Sequence, residues 1–386
     1  MTSLGLHRPI AGSALLALAA APCASGDEWV FAPSAGAYAD VNSNPRLQYD
    51  DPQAVAGVVS ELGTALALRR PAMELRLEPR VIVREYTGDD ALDSVDTYVD
   101  AGFDTTRERA RYSLTGRYAS DETVTGEFSE TAASRANVPR QSVVAEAGAR
   151  WLTSEASDLT TRLSYEDVRY EQGLRYGLVD YRYLSAAAIG ARSVSEQTRV
   201  SLIGRIARLE ADQISNESRE VSLAVGVDRV WNARWSTALA LGPTWSEFSD
   251  ESSDVGMSYR ASVLGEWPRT QVRLQAEQLL SPSSSRGRLE TRDQAGAVLQ
   301  HRLDERWTAD ASASFIYYSV PGSSGDERIG PRRYAIAGAG LEWLITPTSR
   351  SRIAYTYSRV EDLDVASSHR LVLGLTWKGL GRSVSR

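Results

Sequence analysis

The chain is nearly without lysine: of 43 basic residues, only Lys378 is not arginine. Phenylalanine is scarce too, with 5 Phe against 17 Tyr and 9 Trp. There is one cysteine, Cys23. Because it lies in a leader segment (below), the mature chain is expected to carry none. That excludes disulfides, thiolate metal sites and a cysteine nucleophile. Beyond Cys23 only His301 and His369 remain as soft ligands, and they are far apart in sequence. No Ser/His/acid constellation, zinc-protease motif or phosphate loop is visible. No metal site, cofactor or enzymatic activity is therefore expected. A surface protease built from carboxylates and a histidine is the one enzymatic arrangement left open. The net charge of -7 argues against a nucleic-acid partner, which needs a basic face.

Long hydrophobic runs are also missing. None reaches the roughly 18 residues of a transmembrane helix. A mean hydropathy of -0.31 is that of a soluble protein when taken as a single average. It excludes only a helical membrane protein, because a barrel averages a polar and an apolar face.

Residues 1–26 read as a secretory signal. Arg8 supplies the charged start, and Ile10–Ala21 is apolar but too short to span a bilayer. Ala24 and Gly26 suit cleavage before Asp27; cleavage after Ser25 is the alternative. A lipoprotein would need Cys23 as acyl acceptor, and Pro22 just before it argues against that.

From 27 to 386 the dominant pattern is alternation with a period of two. In 72–84, Glu74, Arg76, Glu78, Arg80 and Arg84 share one face, and Met73, Leu75, Leu77, Val81 and Val83 the other. In 109–118, Arg109, Arg111, Ser113, Thr115 and Arg117 oppose Ala110, Tyr112, Leu114, Gly116 and Tyr118. In 270–277, Gln271, Arg273, Gln275 and Glu277 oppose Thr270, Val272, Leu274 and Ala276. Such strands match the length of about 9–11 residues that a tilted membrane strand needs.

Tight turns recur at regular intervals: Arg69–Pro71, Arg107–Arg109, Thr153–Ser157, Ser195–Gln197, Trp231–Arg234, Trp267–Thr270, Asp304–Trp307 and Thr346–Arg350. Longer polar connections alternate with them, among them Val41–Ala56, Thr87–Ser94, Thr123–Pro139, Ser249–Asp254, Val320–Gly330 and Glu361–Ser367. Short turns on one side and long loops on the other predict an all-β, antiparallel, up-and-down outer-membrane barrel. The strand count predicted is about 18, from Trp29–Asp40 to Ser367–Trp377, with both termini periplasmic. Weak alternation near 168–183 leaves 16 as an alternative. The expected localisation is the outer membrane of a Gram-negative bacterium.

Tryptophan gives the orientation. Trp151, Trp231, Trp235, Trp267, Trp307 and Trp343 fall near short turns, and Trp29 and Trp377 near the periplasmic ends of the first and last strands. They are expected to form a girdle at the periplasmic membrane interface. Trp245 alone falls near a long loop. The C-terminal Arg370–Trp377 is similar to the last-strand signal of outer-membrane proteins, but the chain continues to Arg386.

The polar faces are expected to line an aqueous lumen. On the four clearest strands (72–84, 109–121, 270–277 and 288–302) the inward basic residues are Arg76, Arg80, Arg84, Arg109, Arg111, Arg117, Arg273, Arg288, Arg292 and Arg302. The inward acids are fewer: Glu74, Glu78, Asp121, Glu277 and Glu290. The other acids gather in the long loops. Two readings stand side by side. Rings of arginine would favour anions, or Arg and Glu simply pair across strands. The acidic loops read as solvated surface. Expected partners are outer-membrane lipid, lipopolysaccharide and the barrel-assembly machinery.

The segment Tyr38–Leu47 (YADVNSNPRL) ends a first strand and opens the first outer loop. With the Arg- and Tyr-rich hairpins that follow, the chain resembles the putative β-barrel porin type 2 family. The resemblance implies a conduit, association with exopolysaccharide or capsule loci, export of an acidic polysaccharide, and contact with polysaccharide-export proteins. As turn chemistry, Asn42 and Asn44 before Pro45 need no such role. The alternative is a non-conducting structural or adhesive barrel with its lumen plugged by loops.

Overall fold

The computed structural model describes residues 27–126, 137–249, 253–319, 332–362, 364–379 and 381–385. The signal segment 1–26 lies outside them. So do parts of the predicted loops Thr123–Pro139, Ser249–Asp254 and Val320–Gly330.

The strands are β1 (Glu28–Asn42), β2 (Val55–Arg70), β3 (Met73–Thr87), β4 (Ser94–Arg107), β5 (Ala110–Glu122) and β6 (Pro139–Leu152). Next come β7 (Ser157–Tyr170), β8 (Tyr181–Ser193), β9 (Thr198–Ala211), β10 (Asn216–Val230), β11 (Trp235–Phe248) and β12 (Ser253–Glu266). The chain ends with β13 (Thr270–Ser283), β14 (Arg288–Arg302), β15 (Trp307–Ser319), β16 (Arg332–Thr346), β17 (Ser349–Glu361), β18 (Val365–Lys378) and β19 (Arg382–Ser385). Every predicted short turn joins two of these strands. The doubtful region near 168–183 resolves into β7 and β8, joined through a 3-10 turn at Gly173–Tyr176. The barrel therefore has 18 strands, and the alternative of 16 falls. Asp254 and Glu361, read as loop acids, belong to β12 and β17.

Each wall strand pairs antiparallel with its sequence neighbours, and β1 pairs with both β2 and β18. The sheet thus has no free edge, which removes the unpaired backbone groups that lipid could not satisfy. The large exposed apolar residues follow one parity along the strands. Val58 and Leu62 of β2, Leu114 of β5, Leu202 of β9, Leu239 and Leu241 of β11, and Leu371, Leu373 and Leu375 of β18 are examples. An apolar belt of this extent is a membrane-facing surface. With the closed antiparallel sheet it makes the chain an outer-membrane β-barrel.

The seam between first and last strands explains the C-terminal tail. β18 pairs with Ser34–Asn42 of β1. Pro33 has no N–H to give the ladder, and its carbonyl accepts from Gly379 N at 2.8 Å. The last strand breaks there, and β19 resumes the pairing against Glu28–Phe31. The residues beyond the aromatic Trp377 are therefore part of the closure, which the sequence pattern did not reveal. Higher up the seam, the Tyr38 ring lies across its register partner Gly374. A Cβ at Gly374 would come within 2.3 Å of that ring.

Truncation after Gly381 leaves Glu28–Phe31 without a partner on that side. The shortened barrel is expected to fold but to lose its heat-resistant gel mobility at a temperature several degrees lower. An unchanged transition would show that β19 adds nothing to the closure.

Candidate functional site

The face opposite the lipid belt lines the interior and carries most strand charges. On β3 it holds Glu74, Arg76, Glu78, Arg80 and Arg84, with Ile82 between them. On β5 it holds Arg111 and Arg117; on β13, Arg273 and Glu277; on β14, Arg288, Glu290, Arg292 and Arg302. Arg109 is a correction. It sits in the two-residue turn between β4 and β5, outside the strand face.

The apparent excess of arginine is corrected as well, because it came from too few strands. β4 presents Asp96, Asp100 and Asp104 to the same interior, since these face the inward residues of β3 and β5 in the ladders. Asp104 pairs with both Arg76 (3.2 Å) and Arg111 (3.1 Å), and Asp100 with Arg117 (2.6 Å). Asp96 takes Arg84, and Glu61 of β2 lies 3.5 Å from Arg80. Elsewhere Asp121 binds Arg140 with two hydrogen bonds of 2.9 and 3.0 Å. Asp158 serves Arg150 and Arg199; Glu277 serves Arg260; Asp310 serves Arg352. Asp40 accepts from both Arg370 (2.7 Å) and the Tyr86 hydroxyl (2.9 Å). The interior is a lattice of mixed charge. Among the described residues Arg162 and Arg273 make no ion pair.

The interior is not uniformly polar. Among the described residues β13 pairs with β12 only as far as Gln278, and β14 with β15 only from Thr291, the partner of Ser319. Between those points the described pairings of the two strands are with each other, Ser281 with Glu290 and Ser283 with Arg288. This end of the hairpin leaves the wall and folds inward. Ser284 O accepts from Val179 N at 2.8 Å. Leu289 N donates to Ser218 Oγ at 3.4 Å. Arg288 lies over the Phe248 ring, 4.4 Å from its centroid. At the tip Gly287 has φ +59, and a Cβ there would meet Ile214 at 2.7 Å, so glycine is required twice over. Leu280 and Leu289 complete an apolar cluster with Val168, Tyr181, Tyr183 and Leu209, among others.

One carboxylate anchors this hairpin. Glu290 is fully buried, 2.7 Å from Arg286 and 3.0 Å from Arg332. Arg332 in turn lies over Tyr318, 5.3 Å from the ring centroid. Burial lowers the proton affinity of the Arg286 guanidinium, and Glu290 opposes that. Across the mouth the β1–β2 connection also folds in. Leu47 packs with Ile316, Tyr318, Tyr334, Val360 and Ala366. Asn44 is buried and holds the segment: its Nδ2 donates to Gln48 O (2.9 Å) and Ser367 O (3.2 Å), and its Oδ1 accepts from Gln48 N. Open space remains among the described residues. One part of about 860 Å³ lies in mid-barrel, bordered by Arg150, Arg162, Arg205, Glu220, Arg260 and Glu277. Another, about 240 Å³, lies at the mouth beside Asp40, Asn44, Arg84, Tyr86 and Arg370.

Sequence reasoning missed both inward folds. The available signal was apolar residues at interior positions near the long-loop ends, such as Val168, Tyr170, Tyr181, Tyr183, Leu209 and Phe248. They interrupt the polar face only near the mouth.

The predicted tryptophans gather at the short-turn end. Trp307 and Trp343 stack at 5.6 Å, and Trp235 meets Trp267 edge-on at 5.1 Å. Trp151 Nε1 donates to Tyr112 and Trp231 Nε1 to Thr237. Trp29 and Trp377 lie at the same end, on β1 and β18. His301 and His369 lie near opposite ends, bonded to Thr270 and Tyr355 respectively. Among the described residues no group of three His, Cys, Asp or Glu could hold a metal ion.

No known protein family matches the chain by sequence, and no curated relative matches it. Solved structures similar to it include OccAB3 of Acinetobacter baumannii, at TM-score 0.47 and 9% identity, covering 91% of this chain and 99% of that one. OprD of Pseudomonas aeruginosa gives TM-score 0.47 and 9% identity, covering 92% and 95%. The FrpB iron transporter of Neisseria meningitidis (F5-1 variant) gives TM-score 0.49 and 8% identity, covering 91% and 82%.

Replacing Glu290 by alanine leaves two arginines facing each other in a buried site, which costs about 3–5 kcal/mol. The hairpin is expected to detach while the wall stays folded, and single-channel conductance should rise. Unchanged conductance of a folded E290A barrel would show that the hairpin does not limit passage.

Proposed function

We propose that the protein is a porin-like conduit of the outer membrane with a preference for anionic solutes. Its acids and arginines are closely balanced, so net charge cannot carry the preference. Geometry can. In the interior ion pairs the arginine is the more exposed partner: Arg117 is 62% exposed against 35% for Asp100, and Arg370 45% against 2% for Asp40. The same order holds for Arg150, Arg260, Arg350 and Arg352 against their acids. Carboxylates are short and stay at the wall. Guanidinium groups are long and reach into the water. A passing solute therefore meets cations first, and Arg162 and Arg273 stand there without an acid partner. The tryptophans at the short-turn end act as the periplasmic interface girdle in this reading. An acidic polysaccharide is the cargo that the family resemblance suggests. It falls within the same anionic class, and a deletion strain with normal surface polysaccharide would remove it.

A second reading has its own support. The hairpin and the β1–β2 connection fill much of the mouth, as a plugged structural barrel would require. Planar-bilayer recording of pure, folded protein separates the two, because a plugged barrel gives no conductance. For a conduit, the reversal potential in a salt gradient should indicate anions over cations. The pair R162E/R273E should shift it toward cations by several millivolts. A cation-selective wild type would overturn the anionic preference.

A further inference from the structure

The outer wall of β7–β11 differs from its neighbours at the long-loop end. On β4 the outward position there is the apolar, exposed Val95, and on β12 the register partner of Glu247 is the uncharged Ser253. On β7–β11 the exposed apolar residues end, strand by strand, at Tyr165, Leu184, Ile206, Val221 and Trp245. The next outward position on each strand is charged: Asp167, Arg182, Arg208, Arg219 and Glu247.

Two features of this charged edge point to an anion. First, Arg208 and Arg219 are direct register partners across the β9–β10 ladder. Like charges placed directly opposite destabilise a sheet. They share Glu217, at 3.0 and 2.6 Å. Arg208 and Arg182 also share Glu210, at 2.7 and 3.4 Å. Glu217 and Glu210 each lie between two guanidinium groups, and Glu247 is the register partner of Arg219 on its other side, so the edge is balanced in number and its five-donor guanidinium groups keep N–H donors beyond these contacts. Second, the acids lie against the wall while the cations project. Arg169, on Asp167 at 2.9 Å, is 71% exposed against 16% for its partner.

Below this edge the same wall is hollowed on its lipid side. A shallow, open apolar depression of about 1110 Å³ reaches from β4 to β11. Its floor is small, with Ala147, Ala186, Ala188 and Gly204; Leu163 and Leu223 border it, and Trp245 stands at its upper edge. At about 4.8 Å per strand it is wide enough for several acyl chains side by side.

We propose that this face binds a phosphorylated, multiply acylated glycolipid of the outer leaflet. One phosphate sits between Arg208 and Arg219 within reach of Arg182, and the acyl chains fill the hollow beneath. Arg169, 71% exposed, is open to a second phosphate. A phospholipid offers one phosphate and two chains and fills less of the surface. The proposal requires only that the barrel sit in a membrane, so it stands or falls apart from conduction.

The test is native mass spectrometry of the detergent-purified barrel mixed with equal amounts of bisphosphorylated lipid A and phosphatidylglycerol. Wild type should retain lipid A over phosphatidylglycerol. The double variant Arg208→Gln/Arg219→Gln should retain at least about tenfold less. Arg192→Gln, an outward cation at the other end of β8, should behave as wild type. Lipid A stripped of its phosphates should be lost from wild type to the same degree, and this arm needs no variant to fold. Equal retention of the two lipids by wild type, or undiminished retention by the double variant or of the dephosphorylated lipid, would overturn the proposal.

Discussion

Inside a bilayer no water is present to satisfy the backbone, so every N–H and C=O must find a partner within the protein. A β-sheet meets that demand only when it closes. The rest of this structure follows from the closure. It forces β1 to pair with β18 across nearly the whole chain. It also explains why a strand as short as β19 matters: without it the lower part of β1 has a bare side where Pro33 interrupts the last strand. Closure then divides the residues of every strand between lipid and lumen, one after the other. Leu371, Leu373 and Leu375 look outward while Arg370 reaches Asp40 inside.

The interior faces a different problem. Charged side chains on adjacent strands must be compensated at a spacing that the ladder sets. The protein solves it with short acids at the wall and long arginines above them. The result is near neutrality in number and a cationic surface in geometry. The same arrangement recurs on the outside at the rim of β7–β11, where Arg169 projects beyond Asp167 and Arg219 beyond Glu217.

Much of this was legible in the sequence. Period-two alternation in 72–84 and 270–277 marked β3 and β13 correctly, face by face. The predicted tight turns all join strands, because two-to-four-residue connections depend on local turn chemistry. The balance of interior charge was not legible from a few strands. Asp96, Asp100 and Asp104 look unremarkable in β4 until the register sets them opposite Ile82, Glu78 and Glu74 and beside the arginines of β3 and β5. The inward hairpin was hidden for a related reason. Leu280 and Leu289 belong by parity to the lipid side, and only the departure of β13–β14 from the wall buries them inside.

The sequence by itself determined the class of fold and which end carries the tryptophans, and it narrowed the strand number to 16 or 18. These depend on alternation and on turns, both of which are written in neighbouring residues. The tertiary structure alone decided which acid neutralises which arginine, where the lumen narrows, and where the outer wall is hollowed. Those depend on strand register and on contacts between residues far apart in the chain, such as Glu290 with Arg332 or Asn44 with Ser367. Register is a property of the closed sheet, and no single strand contains it.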